Sequence, residues 1–292
     1  FNVITGIFQH MRLNNSYDIR NNADNNNQDF NTLSISKFEQ MKNLDKKQQN
    51  AFRIIICSCI LRMISLNLVS SEVLKCTVPI EHADIDNSGT FTIEEILMKY
   101  GGDNNLIMLL MGKGGCGKTF IIEVCNVFIK LLYDKLGLLY EEETFRITAM
   151  TGAAASNYQN GRTTHSICLL NSKLNSIKVD HSWAKTLILV IDEISFKPAT
   201  DLSKVDKHLK KMTSNLNKLY GGVPIIFAGD FSQLHPITGD PIFVAMYKGD
   251  SIACFWSCAI NRIVYLENKH RFKDDPQWGE ILERISTYTA TD

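Results

Sequence analysis

The sequence predicts an α/β domain built on a mostly parallel sheet with helices on both faces, and three observations predict it. Short apolar runs alternate with helical patterns from residue 106 onward. A glycine-rich loop follows one of those runs, and a pair of acids closes another. Composition agrees: 45% hydrophobic and 21% charged residues over 292 suit a globular chain, and 17 Gly with 6 Pro exclude a collagen-like or low-complexity one.

In chain order, residues 1–37 are rich in Asn and Asp and read as a flexible extension. Residues 38–78 carry Leu44, Ala51, Ile54, Ile55 and Leu61 near helical spacing, with Ser34 or Ser36 as the expected cap. Residues 79–100 form an acidic insertion, and residues 101–292 the α/β domain. Its strands are expected at Leu106–Met111, Phe145–Met150, Leu187–Ile191, Ile225–Ala228 and Ile263–Leu266. Asp206, Lys207, Lys210, Lys211 and Lys218 read as the solvated face of a charged helix.

The stretch Gly112-Lys-Gly114-Gly115-Cys116-Gly117-Lys118-Thr119 fits G-x-x-x-x-G-K-[ST], directly after a buried strand and before a helical pattern. Backbone N–H groups of such a loop turn inward around phosphates, and the helix N-terminus adds a favourable dipole. Lys118 would neutralise the terminal phosphates of ATP, and Thr119 would offer its hydroxyl to Mg²⁺. Asp192 and Glu193 end a buried strand, where ligands of α/β sheets bind; Asp192 would complete the Mg²⁺ shell and Glu193 would activate water.

Asp192-Glu193-Ile194-Ser195, followed by Gly229-Asp-Phe-Ser-Gln233-Leu-His-Pro236, resembles the petite-integration-frequency (PIF) family of superfamily 1 DNA helicases. Leu44 with Gln48, Ala51 and Phe52 is similar to its Q motif. Thr148–Ala155 with Gly161, Thr163 and His165 is similar to motif Ia, and Leu266–Arg271 to motif IV. The resemblance covers roughly residues 40–292. It implies a RecA-like P-loop NTPase domain that hydrolyses ATP to translocate on single-stranded DNA and unwind duplex junctions 5′ to 3′.

By the same resemblance Gln48 would read adenine, Gln233 would link the γ-phosphate to the DNA surface, and Arg271 would approach the γ-phosphate. Thr151, Thr163 and His165 would lie along the single strand. Each has a plainer reading: Gln48 as a solvated helical residue, His165 as a core or capping histidine, Arg271 as a surface ion-pair partner. Cys116, His235 and Phe196 depart from the family pattern without removing a catalytic group. Phe1 in place of an initiator Met, and an end just after motif IV, read as a fragment expected to bind nucleotide with little unwinding of its own. The alternative is a nucleotide-binding regulatory module, or a transposon-derived remnant, without motor activity.

The acidic insertion contains an EF-hand-like loop, with oxygen ligands for Ca²⁺ at Asp84, Asp86, Ser88, Thr90, Thr92 and Glu95 around Gly89. Pro79 interrupts the entering helix, and the loop reads equally as an acidic turn in which Thr92 and Glu95 form a capping box. Lys and Arg total 31 against 31 Asp and Glu, so no global field announces a nucleic-acid partner. The eight Cys lack zinc-ribbon spacing and read as reduced thiols. With no membrane span and no secretory leader, the expected setting is intracellular, nuclear or mitochondrial in a eukaryote.

Overall fold

The computed structural model describes residue 39 and residues 42–70, 77–80, 89–92, 105–233, 236–237, 239–249, 256–268 and 276–286. The chain divides into two compact units, Phe1–Asn104 with Val124–Tyr140, and Asn105–Glu123 with Glu141–Asp292.

In the first unit, helix α1 spans Lys46–Ser65 and buries nearly all of its circumference. Its cap is Asp45, not Ser34 or Ser36. The Asp45 carboxylate accepts from the Gln48 backbone N–H at 2.9 Å, and the Gln48 side chain accepts from the Asp45 N–H at 3.2 Å. This reciprocal box starts the helix later than apolar periodicity suggests, because Asn43 has already left helical geometry at φ 51°. Arg53 and Glu39 form a buried two-pronged ion pair at 2.7 and 2.8 Å. Strands β1 (Thr77–Ile80) and β2 (Gly89–Thr92) pair antiparallel, Thr77 opposite Thr92 and Ile80 opposite Gly89. A strand therefore stands within the stretch that an EF-hand would use for its entering helix. Asp84, Asp86, Ser88 and Glu95 lie outside the described residues.

The second unit holds β3 (Ile107–Gly112), which leads into helix α2 (Lys118–Lys135), a helix continuing into the first unit. There Phe52 of α1 meets Phe128 of α2 edge to face at 5.3 Å. Next come β4 (Phe145–Ala149), the short α3 (Gly152–Ala155), β5 (Arg162–Thr163) and the short α4 (Thr164–Ile167). Strand β6 (Ile188–Asp192), α5 (Ala199–Met212), β7 (Ile225–Gly229), α6 (Ile242–Tyr247), β8 (Arg262–Leu266) and α7 (Pro276–Ser286) complete the order.

These strands form one sheet in the order β5-β4-β6-β7-β3-β8. Every pairing in it is parallel. All positions of β6 and β7 are buried, as expected of a sheet covered on both faces. Ile107, Leu109, Leu189, Ile191, Ile225 and Phe227 point to one face and meet Leu202, Val205, Leu209 and Met212 of α5. Asp206 departs from the solvated face expected of it. It is buried on α5, accepting from the Tyr220 N–H and the Lys210 ammonium, each at 2.7 Å. Lys218 lies beyond the helix end. Six cysteines among the described residues are free thiols. No helix among the described residues is long and apolar enough to cross a membrane.

Candidate nucleotide site

Parallel strands release their chain ends on one edge of the sheet, and the site is built there. Strand β7 lies between β3 and β6, with Met111 opposite Gly229 and Ile191 opposite Phe227. The loop after β3, the acids ending β6 and Asp230 after β7 thus emerge side by side.

Gly115 and Gly117 take φ of 86° and 88°, a left-handed geometry that a side chain would strain and that lets the loop curl between strand and helix. Asp230, 7% exposed, ties this loop to β7. Its carboxylate accepts from the Gly114 N–H at 3.1 Å, from the Ser232 N–H at 3.0 Å and hydroxyl at 2.5 Å, and from the Gln233 amide at 3.2 Å. Gln233 is thereby held against the loop, its Nε2 3.5 Å from where a Cβ on Gly114 would stand. Lys118 bends back over its own loop, donating to the Gly112 carbonyl at 2.5 Å and the Lys113 carbonyl at 3.3 Å, with Cys116 Sγ at 3.9 Å. Those carbonyls hold the ammonium where incoming phosphates would replace them. Burial pushes the Cys116 thiol up, against the pull of Lys118.

Asp192 is 8% exposed and fixed from two sides. Its Oδ1 accepts from the Glu193 N–H at 2.8 Å and its Oδ2 from the Tyr158 hydroxyl at 2.5 Å. The sheet order β6-β7-β3 sets Thr119, in the first turn of α2 after β3, and Asp192, at the end of β6, on the same edge of the sheet. The donor set of hydroxyl and carboxylate suits a hard oxygen-seeking cation. Among the described residues no group of three or more His, Cys, Asp or Glu offers a different metal site.

Glu193 sits at φ 57° and ψ 44°, a left-handed conformation costing a non-glycine residue about 1 kcal/mol or more. Burial, and then the Asp192 charge, raise its pKa above the usual carboxylate value, which favours a proton acceptor.

Thr151 and Thr163 cap the two short helices that follow β4 and β5, their hydroxyls accepting from the Ala154 N–H at 3.1 Å and the Ser166 N–H at 3.3 Å. His165 lies 3.6 Å from Asp201 on α5. Burial lowers its pKa, Lys197 adds to the lowering, and Asp201 opposes it. In the first unit Gln48 is 1% exposed, and its Nε2 has no hydrogen-bond partner among the described residues. It is therefore not a solvated helical residue. Arg271 lies outside the described residues.

Two residues escape the sequence reading. Asp230 ends a buried strand as Asp192 does, so the same end-of-strand rule could have named it. Tyr158 lies in an irregular turn, where no periodicity marks it.

A phosphate loop between a parallel strand and a helix, faced by acids at the end of a neighbouring strand, defines a P-loop nucleotide-binding domain of RecA-like build. The family model described as PIF1-like helicase matches residues 87–275, and the chain belongs to that family. ATP-dependent DNA helicase PIF1 of Saccharomyces cerevisiae is 29% identical over 194 residues, 63% of this chain and 21% of that protein. ATP-dependent DNA helicase Pif1 of a Psychrobacter species is 31% identical over 183 residues, 56% of this chain and 25% of that protein. The chain spans only those shares of the relatives' length. The crystal structure of Pif1 helicase from Candida albicans aligns at a TM-score of 0.48 and 27% identity, covering 62% of this chain and 40% of that one.

Proposed function

We propose that this chain binds and hydrolyses ATP with Mg²⁺, and that the hydrolysis serves 5′-to-3′ movement along single-stranded DNA and the opening of duplex junctions. The observation that carries this reading is the β6-β7-β3 strand order, by which the glycine-rich loop after β3, Asp192 and Asp230 leave the sheet side by side, with the Gly114 N–H bonded to Asp230 at 3.1 Å. Membership in a helicase family supports the DNA half of it.

In this proposal Lys118 leaves its loop carbonyls for the β- and γ-phosphates, and the loop N–H groups not already bonded within the protein, as that of Gly114 is to Asp230, line the rest. Thr119 and Asp192 would hold Mg²⁺, which when bound neutralises charge on the phosphate oxygens. Glu193 would take a proton from the attacking water. Gln233, resting on Asp230 beside the loop, would sense the γ-phosphate, and Arg271 would approach it. By the family resemblance Gln48 would read adenine. Thr151, Thr163 and His165 would contact the strand's phosphates and sugars.

The family resemblance implies a nuclear or mitochondrial setting in a eukaryote, and a role in DNA repair, recombination or telomere maintenance. Ca²⁺ at residues 84–95 would have to bind without the usual entering helix, since β1 occupies that place. Calcium titration with an Asp84→Ala control reads it directly.

The test of the main reading is ATP turnover with and without single-stranded DNA. Lys118→Ala should lose nucleotide binding, whereas Glu193→Gln should keep binding and lose turnover by about 10² or more. Unchanged turnover in both would refute the assignment.

A further inference from the structure

Tyr158 belongs neither to the phosphate loop nor to the acid pair, yet its hydroxyl donates to Asp192. The ring is 4% exposed. It stands on a tight turn: the Tyr158 N–H donates to the Ala155 carbonyl at 3.1 Å, and its own carbonyl accepts from the Gly161 N–H at 3.1 Å. A side chain on Gly161 would collide with the Ala155 carbonyl oxygen, so the turn closes only around glycine. The turn fixes the backbone that carries the buried phenol.

Hydrogen count then fixes direction. A carboxylate only accepts, so the single phenolic hydrogen goes to Asp192 Oδ2 at 2.5 Å. Asp192, held by Tyr158 on one oxygen and by the Glu193 N–H on the other, cannot swing away.

We propose that Tyr158 is a positioning residue for the Mg²⁺ site, fixing the carboxylate of Asp192 before the metal arrives. The inference rests on the nucleotide-site reading above. Outer groups that orient metal ligands are typically worth 10- to 100-fold in metal affinity.

The test is Tyr158→Phe, which keeps the buried ring and removes one oxygen. Affinity for a fluorescent ATP analogue is measured by equilibrium titration in EDTA and in millimolar Mg²⁺, and the ratio of the two dissociation constants reports how much the metal tightens binding. In the variant this ratio should fall about tenfold while the EDTA value stays at that of the unaltered chain. An unchanged ratio overturns the proposal, and so does a larger one, which would mean that the hydroxyl obstructs the metal. Equal loss in EDTA and in Mg²⁺ also overturns it, since a general packing role would weaken both alike. Failure of the underlying site is a distinct result: the unaltered chain would bind no nucleotide, or would bind it equally with and without Mg²⁺.

Discussion

Replacing Asp230 with Ala should loosen the phosphate loop in a way that can be sized from the structure. The carboxylate accepts four hydrogen bonds, from the Gly114 N–H, the Ser232 N–H and hydroxyl, and the Gln233 amide. Ser232 and Gln233 are exposed, so water takes over much of what they lose. The Gly114 N–H is partly buried in the loop, and leaving such a donor without its acceptor costs about 1–3 kcal/mol. One or two kcal/mol of lost loop order corresponds to roughly 5- to 30-fold weaker binding of an ATP analogue. It also lowers the melting temperature by about 2–4 °C per kcal/mol for a chain of this size. Asp230→Asn keeps one acceptor oxygen and should fall between. Isothermal titration calorimetry gives the affinities and differential scanning calorimetry the melting. An opposing effect exists, because removing a negative charge beside the phosphates favours them. Unchanged or tighter binding in Asp230→Ala would show that repulsion outweighs loop order and would refute the structural role assigned here.

Other outcomes follow from single contacts. Glu39→Gln leaves the buried Arg53 guanidinium without its charged partner and should destabilise the first unit by about 3 kcal/mol, read by urea unfolding; a change below about 1 kcal/mol would contradict the burial of that pair. Lys197→Met removes a buried cation that depresses His165, so the His165 midpoint should move up toward 6.5 in an NMR pH titration, whereas a downward shift would mean that Asp201 lost its hold on the ring. Asp206→Ala frees the Tyr220 N–H in the core and should lower the melting temperature by several degrees; a neutral result would return Asp206 to the solvated face.

The sheet was legible because its strands are buried on both faces, so each reads as an unbroken apolar run of nearly the observed length. Strand β5 was not, since two residues carry no pattern. The start of α1 was misplaced because apolar spacing continues past the break at Asn43, and only the Asp45–Gln48 box marks the true beginning. Asp206 shows the same limit: spacing puts an acid on a helix face, and only the tertiary structure supplies the backbone N–H that draws it inward. The nucleotide site was the most legible part, because phosphate binding needs particular residues at fixed spacing directly after a strand. Its support was not, since Tyr158 and Asp230 act through contacts made far along the chain, at Asp192 and Gly114.

The central claim is that Thr119 and Asp192 share one cation beside a nucleotide held by the loop from Gly112 to Lys118. Crystals grown with Mn²⁺ and a non-hydrolysable ATP analogue would show the metal by its anomalous scattering. The account predicts a single strong peak in contact with the Thr119 hydroxyl and next to the Asp192 carboxylate, with the triphosphate wrapped by the loop. A nucleotide bound elsewhere, or a metal peak remote from both residues, would contradict it.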